Sequence, residues 1–345
     1  MKNKVLIVTY SNDNNCIETV SEAIEKNGGI PVRFDIDRYP LDYNITSKFT
    51  NGKWEIIFKE GENQHNLLTE FTGLWNRRFY HLGNCLADVV DEEFFSSCVG
   101  ESHATIIGLI SHLEREIFTF NSYSINRISS IKEDQLRMAT EFGLKIPKTC
   151  ITNDPTEAKA FIESCENGAI AKMQHAFSID KDGAEAVVYT NEVSKDDFEK
   201  LEGLKYSPMK FQEKIEKQLE LRITIIGNKL FTAALNSKIV EGGKTDWRKV
   251  GLETVKDWVP YNDLPLEIEE KLIQLHDHYK LNYGAADIIL TPEGEYIFLE
   301  SNPGGEFFWL DRLINFEISD AIAKLLLGKS TQRKHQALEA KMTVG

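Results

Sequence analysis

Tyr283-Gly284-Ala285-Ala286-Asp287-Ile288-Ile289-Leu290, then Thr291-Pro292-Glu293-Gly294, then Glu295-Tyr296-Ile297-Phe298-Leu299-Glu300-Ser301-Asn302 is the stretch from which the rest of the chain is read. Two β-prone runs flank a Pro- and Gly-containing turn, which predicts an antiparallel hairpin. A hairpin centred on Glu293-Gly294 places Asp287 opposite Glu300, with Cβ atoms about 5 Å apart. Period-two alternation puts Asn302 on the same face as Glu300. Facing carboxylates destabilise a sheet unless a positive group lies between them. A hard cation with oxygen ligands, Mg²⁺ foremost, resolves that conflict. The alternative is a one-residue register slip, which would separate the pair. The hairpin therefore predicts a metal that serves a phosphorylated ligand.

The 345 residues are enough for about two or three packed domains. A 41% hydrophobic and 27% charged composition is that of an ordinary globular protein. No apolar run approaches the roughly 18 residues of a membrane span, so no membrane partner is expected. Met1-Lys2-Asn3-Lys4 leads into only about five apolar residues, too few for a signal peptide. Cys16, Cys85, Cys98, Cys150 and Cys165 are scattered without a CxxC pair, which argues against a zinc cluster or a disulfide framework. These features predict a cytoplasmic protein with reduced thiols. A net charge of −14 repels phosphate backbones and excludes general nucleic-acid binding. It favours a partner with basic residues, such as a peptide.

Lys4 to Tyr10 reads as a buried parallel strand, closed by polar Ser11 to Asn15. Ile17, Val20 and Ile24 follow at helical spacing until Gly28-Gly29, and Val32 to Ile36 forms a second strand. Strand, helix and strand within about 35 residues make a βαβ unit and hence a parallel sheet. Trp54 to Phe58 and Gly73-Leu74-Trp75 continue the strand pattern, and Glu92 to His112 is mostly helical. Further on, Ser130 and Glu133 match a capping box for a helix running to Gly143. Asp154, Pro155 and Glu157 start another helix. Ala169 to Met173, Ala186 to Tyr189 and Met209 to Gln212 read as strands. Glu220 to Ile226 and Lys229 to Leu235 flank a Gly227-Asn228 turn, and Ile268, Leu272, Leu275 and Tyr279 mark an amphipathic helix. The expected units are 1–125, 126–210 and 211–328, followed by a polar tail at 329–345 that is mobile or weakly helical.

Charged groups on apolar segments are the chemical signal. Lys172 within Ala-Ile-Ala-Lys-Met must either reach solvent or meet an anion. Lys132 opens a helix, where the dipole disfavours a cation unless a phosphate is bound. Glu220 and Arg222 share a strand face, either as a surface ion pair or as a hydroxyl acceptor and a phosphate fork. Arg248 could be a second fork. His276 and His278 point to different helix faces and cannot chelate together. The chain has no GxSxG, HExxH, P-loop lysine or GxGxxG motif, which disfavours hydrolases, zinc proteases, Walker-type ATPases and classical dehydrogenases.

In this order, Lys132, Lys172, Phe211-Gln212-Glu213-Lys214-Ile215, Glu220-Leu221-Arg222, Arg248, Asp287, Glu300 and Asn302 resemble the ATP-grasp superfamily. Trp75-Asn76-Arg77-Arg78, Leu201-Glu202-Gly203-Leu204, Asp246-Trp247-Arg248-Lys249, Asn282-Tyr283-Gly284-Ala285 and Asn302-Pro303-Gly304-Gly305-Glu306-Phe307-Phe308-Trp309-Leu310 resemble the graspetide synthetases of the microviridin type. The resemblance spans about residues 3 to 328. It implies an α/β ATP-grasp fold: an N-terminal parallel-sheet domain, with central and C-terminal α+β domains enclosing an ATP cleft under a lid.

Carried over, the resemblance implies that Lys132 and Lys172 contact ATP phosphates or adenine. Backbone groups of Glu213, Lys214 and Ile215 hold the adenine, and Glu220 binds the ribose. Asp287, Glu300 and Asn302 bind Mg²⁺, while Arg222 and Arg248 stabilise the transferred phosphoryl group. Ser301, apolar in such relatives, should face away from the metal. The implied activity is phosphorylation of Asp or Glu side chains in a ribosomally made precursor peptide, followed by ring closure onto Thr or Ser, or onto Lys as an amide. Ester formation is favoured, and a homodimer would fit. Within Ser194-Lys195-Asp196-Asp197-Phe198-Glu199, the candidates for a leader-peptide arginine are Asp196 and Asp197; the alternative is a solvated helix start. Arg77 and Arg78 could meet an acidic core peptide. Two rival readings are an ATP-grasp ligase that adds a free amino acid and a non-catalytic nucleotide-binding module.

Overall fold

The computed structural model describes residues 2–13, 15–174, 178–181, 184–187, 190–236 and 256–335. Its first unit is a four-stranded parallel sheet in the spatial order Ile30–Asp35, Lys4–Thr9, Phe71–Asn76, Phe118–Phe120. Both faces of Lys4–Thr9 are covered, which is why the strand is a continuous apolar run. Val5 and Ile7 face the helix Asn15–Lys26 through Ile17, Val20 and Ile24, together with the helix Ile318–Leu326. Leu6 and Val8 face the helix Glu92–Leu113 through Ile106, Leu109 and Leu113. Ile226, Phe231 and Tyr283 of the C-terminal sheet join the first of these clusters, so Ile318–Leu326 is packed between the two sheets.

Trp54 to Phe58 does not extend the parallel sheet. It belongs to a separate antiparallel sheet of Tyr43–Thr50, Lys53–Glu60 and Asn63–Asn66. The cause is Asn51-Gly52, where φ is 54° and 76°, a hairpin turn that folds the chain back on itself.

Four antiparallel strands form a central sheet in the order Asn191–Val193, Ala169–Lys172, Met209–Glu213, Thr149–Thr152. The helix Pro155–Glu163 packs beneath it through Ala158 and Ile162 against Phe211. As expected, Asp154 caps that helix by accepting from the Thr156 amide at 2.8 Å.

The C-terminal sheet runs Val259–Pro260, Lys229–Leu235, Leu219–Ile226, Tyr283–Leu290, Tyr296–Asn302, all antiparallel. The helices Leu266–Tyr279 and Lys132–Glu141 cover one face, Leu136 and Ala139 packing with Leu221, Ile288 and Phe298. The segment expected to open the central unit is therefore tied to the C-terminal sheet. Its expected capping box is absent. Ser130 ends the preceding helix, Tyr123–Ser129, and its hydroxyl donates back to the Asn126 carbonyl at 2.6 Å.

The expected mobile tail also needs correction at its start, where Arg333 is only 8% exposed. Its guanidinium donates to Asp277 Oδ1, the Gly227 carbonyl and Asn228 Oδ1 at 2.5, 2.7 and 3.0 Å. Residues 336–345 lie outside the described residues. All five cysteines are unpaired thiols. Among the described residues no helix is long and apolar enough to cross a membrane.

Candidate functional site

Near its tip the C-terminal hairpin pairs Leu290 with Tyr296 and Ile288 with Phe298; further from the tip it pairs Asp287 with Glu300. The register shifts between these pairs because Leu299 is an extra, unpaired residue. A straight hairpin from Leu290–Tyr296 would have set Leu299 opposite Asp287. The bulge instead turns Leu299 and Glu300 toward the same cleft. The expected pair is present, by a different route from the one the turn implies.

Arg222 lies opposite Asp287 on the next strand, so Arg222, Asp287 and Glu300 form a row across three strands. Arg222 Nη1 donates to Asp287 Oδ1 at 2.7 Å. Lys132 forms an ion pair with Glu300 from the first turn of its helix. Burial alone would raise the Glu300 pKa, but the charges of Lys132, Lys172 and Lys210 hold it well below the ordinary carboxylate range. Glu300 is thus ionised at neutral pH, and each carboxylate of the pair has its own cation.

The helix that carries Lys132 is fixed to the hairpin by Gln135. This side chain accepts from the Ser301 amide at 2.9 Å and donates to the Ser301 carbonyl at 2.7 Å. Ser301 turns away from the cleft, with Oγ 3.2 Å from His276 Nε2. Asn302 Oδ1 accepts from the Gly304 amide at 2.9 Å.

The central sheet forms the facing wall. Lys172 and Lys210 are directly opposed on neighbouring strands. Burial, and then repulsion by Lys172, lower the Lys210 pKa to about 8, with Glu300 opposing and Lys132 adding to the fall. At the end of Met209–Glu213 the Glu213 and Lys214 amides donate to the Lys148 and Gly168 carbonyls at 3.0 and 2.9 Å. The side chains of both turn outward, Glu213 accepting from the Lys148 amide at 2.8 Å and Lys214 pairing with Glu192 at 2.8 Å. Glu213, Lys214 and Ile215 nevertheless lie on the wall of the cleft. Glu220 sits 3.1 Å from Lys217 Nζ. The cleft so formed has a volume of about 320 Å³, with apolar walls at Ile170, Ile289 and Leu299.

A second cavity of about 550 Å³ adjoins the first and shares Arg222 and Asn302 with it. Arg78, Tyr80 and Glu306 line its far side. Arg77 and Arg78 are not equivalent. Arg77 is 9% exposed and donates to both oxygens of Glu306 at 2.8 and 2.9 Å, behind the cavity wall. Arg78 also pairs with Glu306 but stands on the wall itself.

Asp196 and Asp197 lie on a run of 3₁₀ turns, Lys195–Lys205, and line neither cavity. Asp197 is committed locally, accepting from the Ser194 amide at 3.0 Å, from its hydroxyl at 2.9 Å and from Lys200 at 2.7 Å. Asp196 is exposed. Arg248, with the rest of Asp246-Trp247-Arg248-Lys249, lies outside the described residues. Two residues of the site are not among the sequence candidates. Gln135 carried no signal, whereas Lys210 in Met-Lys-Phe-Gln-Glu carried the same signal as Lys172.

A cleft between an antiparallel sheet bearing carboxylates and a second sheet bearing lysines defines the ATP-grasp class of ligases. The profile of the MvdD pre-ATP grasp domain matches residues 4–127. A RiPP-associated ATP-grasp ligase of Chryseobacterium gregarium, solved with ADP and a leader and core peptide, is 41% identical over 97% of this chain and 99% of its own, with a TM-score of 0.92. Macrocyclase MdnC of Microcystis aeruginosa MRC, solved with precursor peptide MdnA, is 39% identical over 95% and 100%, with a TM-score of 0.83. Macrocyclase MdnB of the same organism is 33% identical over 93% and 98%, with a TM-score of 0.75. No curated protein matches. The chain belongs to the family of RiPP-associated ATP-grasp ligases that includes the microviridin-type macrocyclases.

Proposed function

We propose that this protein uses ATP to close side-chain macrocycles in a ribosomally made precursor peptide. The favoured link is an ester between an Asp or Glu carboxylate and a Thr or Ser hydroxyl. The observation that carries the reading is the opposition, across one cleft, of the Asp287–Glu300 carboxylate pair and the Lys172–Lys210 lysine pair. Each like-charged pair is unfavourable alone. A metal-bound polyphosphate presents a cation to the first and an anion to the second.

In this reading Lys132 and Lys172 hold phosphate oxygens, the backbone at Glu213, Lys214 and Ile215 holds the adenine, and Glu220 accepts from a ribose hydroxyl. Two ionised carboxylates and an amide oxygen are hard donors suited to Mg²⁺, so Asp287, Glu300 and Asn302 would hold it. Bound there, the ion supplies neutralisation of the charge on the phosphoryl oxygens. Arg222 is placed between the two cavities to steady the transferred group, and Arg248 is the second arginine proposed for that task.

A peptide carboxylate oxygen attacks the γ-phosphorus, and the bond to the bridging oxygen breaks as ADP leaves. A hydroxyl of the same peptide then attacks the acyl carbon of the resulting acyl phosphate. Phosphate departs, the hydroxyl proton is released, and each ring costs the peptide one water. The apolar walls at Ile170, Ile289 and Leu299 keep competing water from the acyl phosphate. Arg78 meets the acidic core peptide in the adjoining cavity, while Arg77 positions Glu306 behind it. Asp196, with Asp197 at its side, is the proposed partner of a leader arginine.

The relatives support a peptide substrate, since the C. gregarium ligase was solved with leader and core peptide and MdnC with its precursor. Incubation of the protein with ATP, Mg²⁺ and its precursor peptide, followed by mass spectrometry, tests the reading. The expected product has lost one water per ring, and mild alkali restores the mass if the links are esters. A product that gains an amino acid, or no ADP release with any precursor, would overturn it.

A further inference from the structure

Lys210 is 3% exposed, yet it lines the cleft. It stands on Met209–Glu213 directly across from Lys172 on Ala169–Lys172, an arrangement in which two ammonium groups repel. The groups that act on it electrostatically are Lys172, Glu300 and Lys132. Glu300, the one carboxylate among them, is already paired with Lys132. Among the described residues the Lys210 ammonium makes no hydrogen bond and no ion pair. Buried cations are ordinarily paired, and one left unpaired inside a cleft marks the place of a missing anion. Lys132, Lys172 and Lys210 all act on Glu300, so an anion bound among them meets several ammonium groups and suits one with several charged oxygens. The adjoining cavity, where Arg78 and Arg222 would face a peptide carboxylate, does not include Lys210.

We infer that Lys210 is a third phosphate-binding lysine of the nucleotide site, donating beside Lys172 to an oxygen of the polyphosphate. The inference rests on the nucleotide reading above and assigns a task within it to a residue outside the sequence pattern. It also explains why a buried lysine is tolerated: the nucleotide supplies the counter-charge that the described residues do not.

The test is displacement of a fluorescent ADP analogue, without metal, by ADP and by adenosine, using the wild type and Lys210→Met. Loss of one charge-assisted hydrogen bond should weaken ADP by roughly ten- to a hundredfold and leave adenosine unchanged. Lys210→Gln serves as a second variant with the same expectation if Lys210→Met does not fold. Unchanged ADP binding overturns the inference, as does equal weakening of ADP and adenosine, which would make Lys210 part of the adenine wall. A wild type that binds no analogue with or without added Mg²⁺ overturns the nucleotide reading itself, and this inference with it.

Discussion

Replacing Lys210 by Met should stabilise the ligand-free protein. Burial disfavours the charged amine and Lys172 repels it, so its pKa falls from 10.5 to about 8 in the fold. At about 1.4 kcal/mol per pH unit, that fall opposes folding by roughly 3 kcal/mol at neutral pH. The unfolded chain keeps the proton up to about pH 10.5, whereas the folded chain releases it near 8. Between those values the unfolded state binds more protons, so stability rises with pH. The penalty is complete below about pH 8 and gone above about 10.5. Methionine fills a similar volume without the charge. Urea unfolding followed by far-UV circular dichroism, with EDTA and no nucleotide, should therefore show Lys210→Met more stable by about 2–3 kcal/mol at neutral pH. The advantage should shrink as pH rises from about 8 toward 10. Saturating ADP should narrow or reverse the gap, because the ligand stabilises the state that binds it more tightly. A variant less stable than wild type at neutral pH, or a gap that ignores pH, would refute the charge argument.

Glu300→Gln leaves Lys132 without its counter-ion and weakens the metal site, so cyclisation should fall by roughly a hundredfold or more, read by mass spectrometry; undiminished ring closure would exclude a metal role for Glu300. A Cβ added at Gly305 would lie 2.6 Å from Ala285 Cβ and 3.4 Å from Arg222 Nη2. Gly305→Ala should therefore shift Arg222 and lower kcat by roughly tenfold or more, whereas unchanged kcat would show that Arg222 needs no such fixed position. Arg333→Ala removes three of the contacts that hold residues 329–335 to the C-terminal unit and should cost about 2–4 kcal/mol in thermal unfolding. An unaltered melting curve would show that the guanidinium contacts do not brace the fold. Asp154→Ala removes one helix cap and should cost about 1 kcal/mol by the same measurement, with activity retained.

The alternation of side chains along single strands was legible in the sequence, and it carried most of the site. Lys172, Arg222, Asp287, Glu300 and Asn302 were each visible as a charged or amide group on an apolar strand, and all line one cleft. What joins distant segments was less legible. The Leu299 bulge could not be read, because a bulge reflects how the strand meets its partner and leaves the local pattern intact. Arg77 and Arg78 looked alike until Glu306, 229 residues further along, was seen to lock Arg77 behind the wall. Ser130-x-x-Glu133 has the spacing of a capping box, but the Ser130 hydroxyl is taken by the preceding helix. Two further features are legible in the sequence itself. Asn51-Gly52 is a strong hairpin signal that moves Trp54 to Phe58 out of the parallel sheet. Lys210 lies two residues before Gln212, on the same strand face, with Phe211 buried on the other.

The position of Ile318–Leu326 sets an order of events during synthesis. Val5, Ile7, Ile17 and Val20 need this helix to complete their cluster, and the Leu326 carbonyl lies so near Gly73 that a Cβ there would meet it at 2.6 Å. These segments emerge from the ribosome long before the helix that covers them. At ordinary elongation rates the delay is on the order of tens of seconds. Throughout that interval the nascent chain presents an unfinished apolar surface, a target for chaperones and a seed for aggregation. Chains stalled or truncated before Ile318 should therefore be lost to insolubility rather than accumulate as a folded N-terminal fragment.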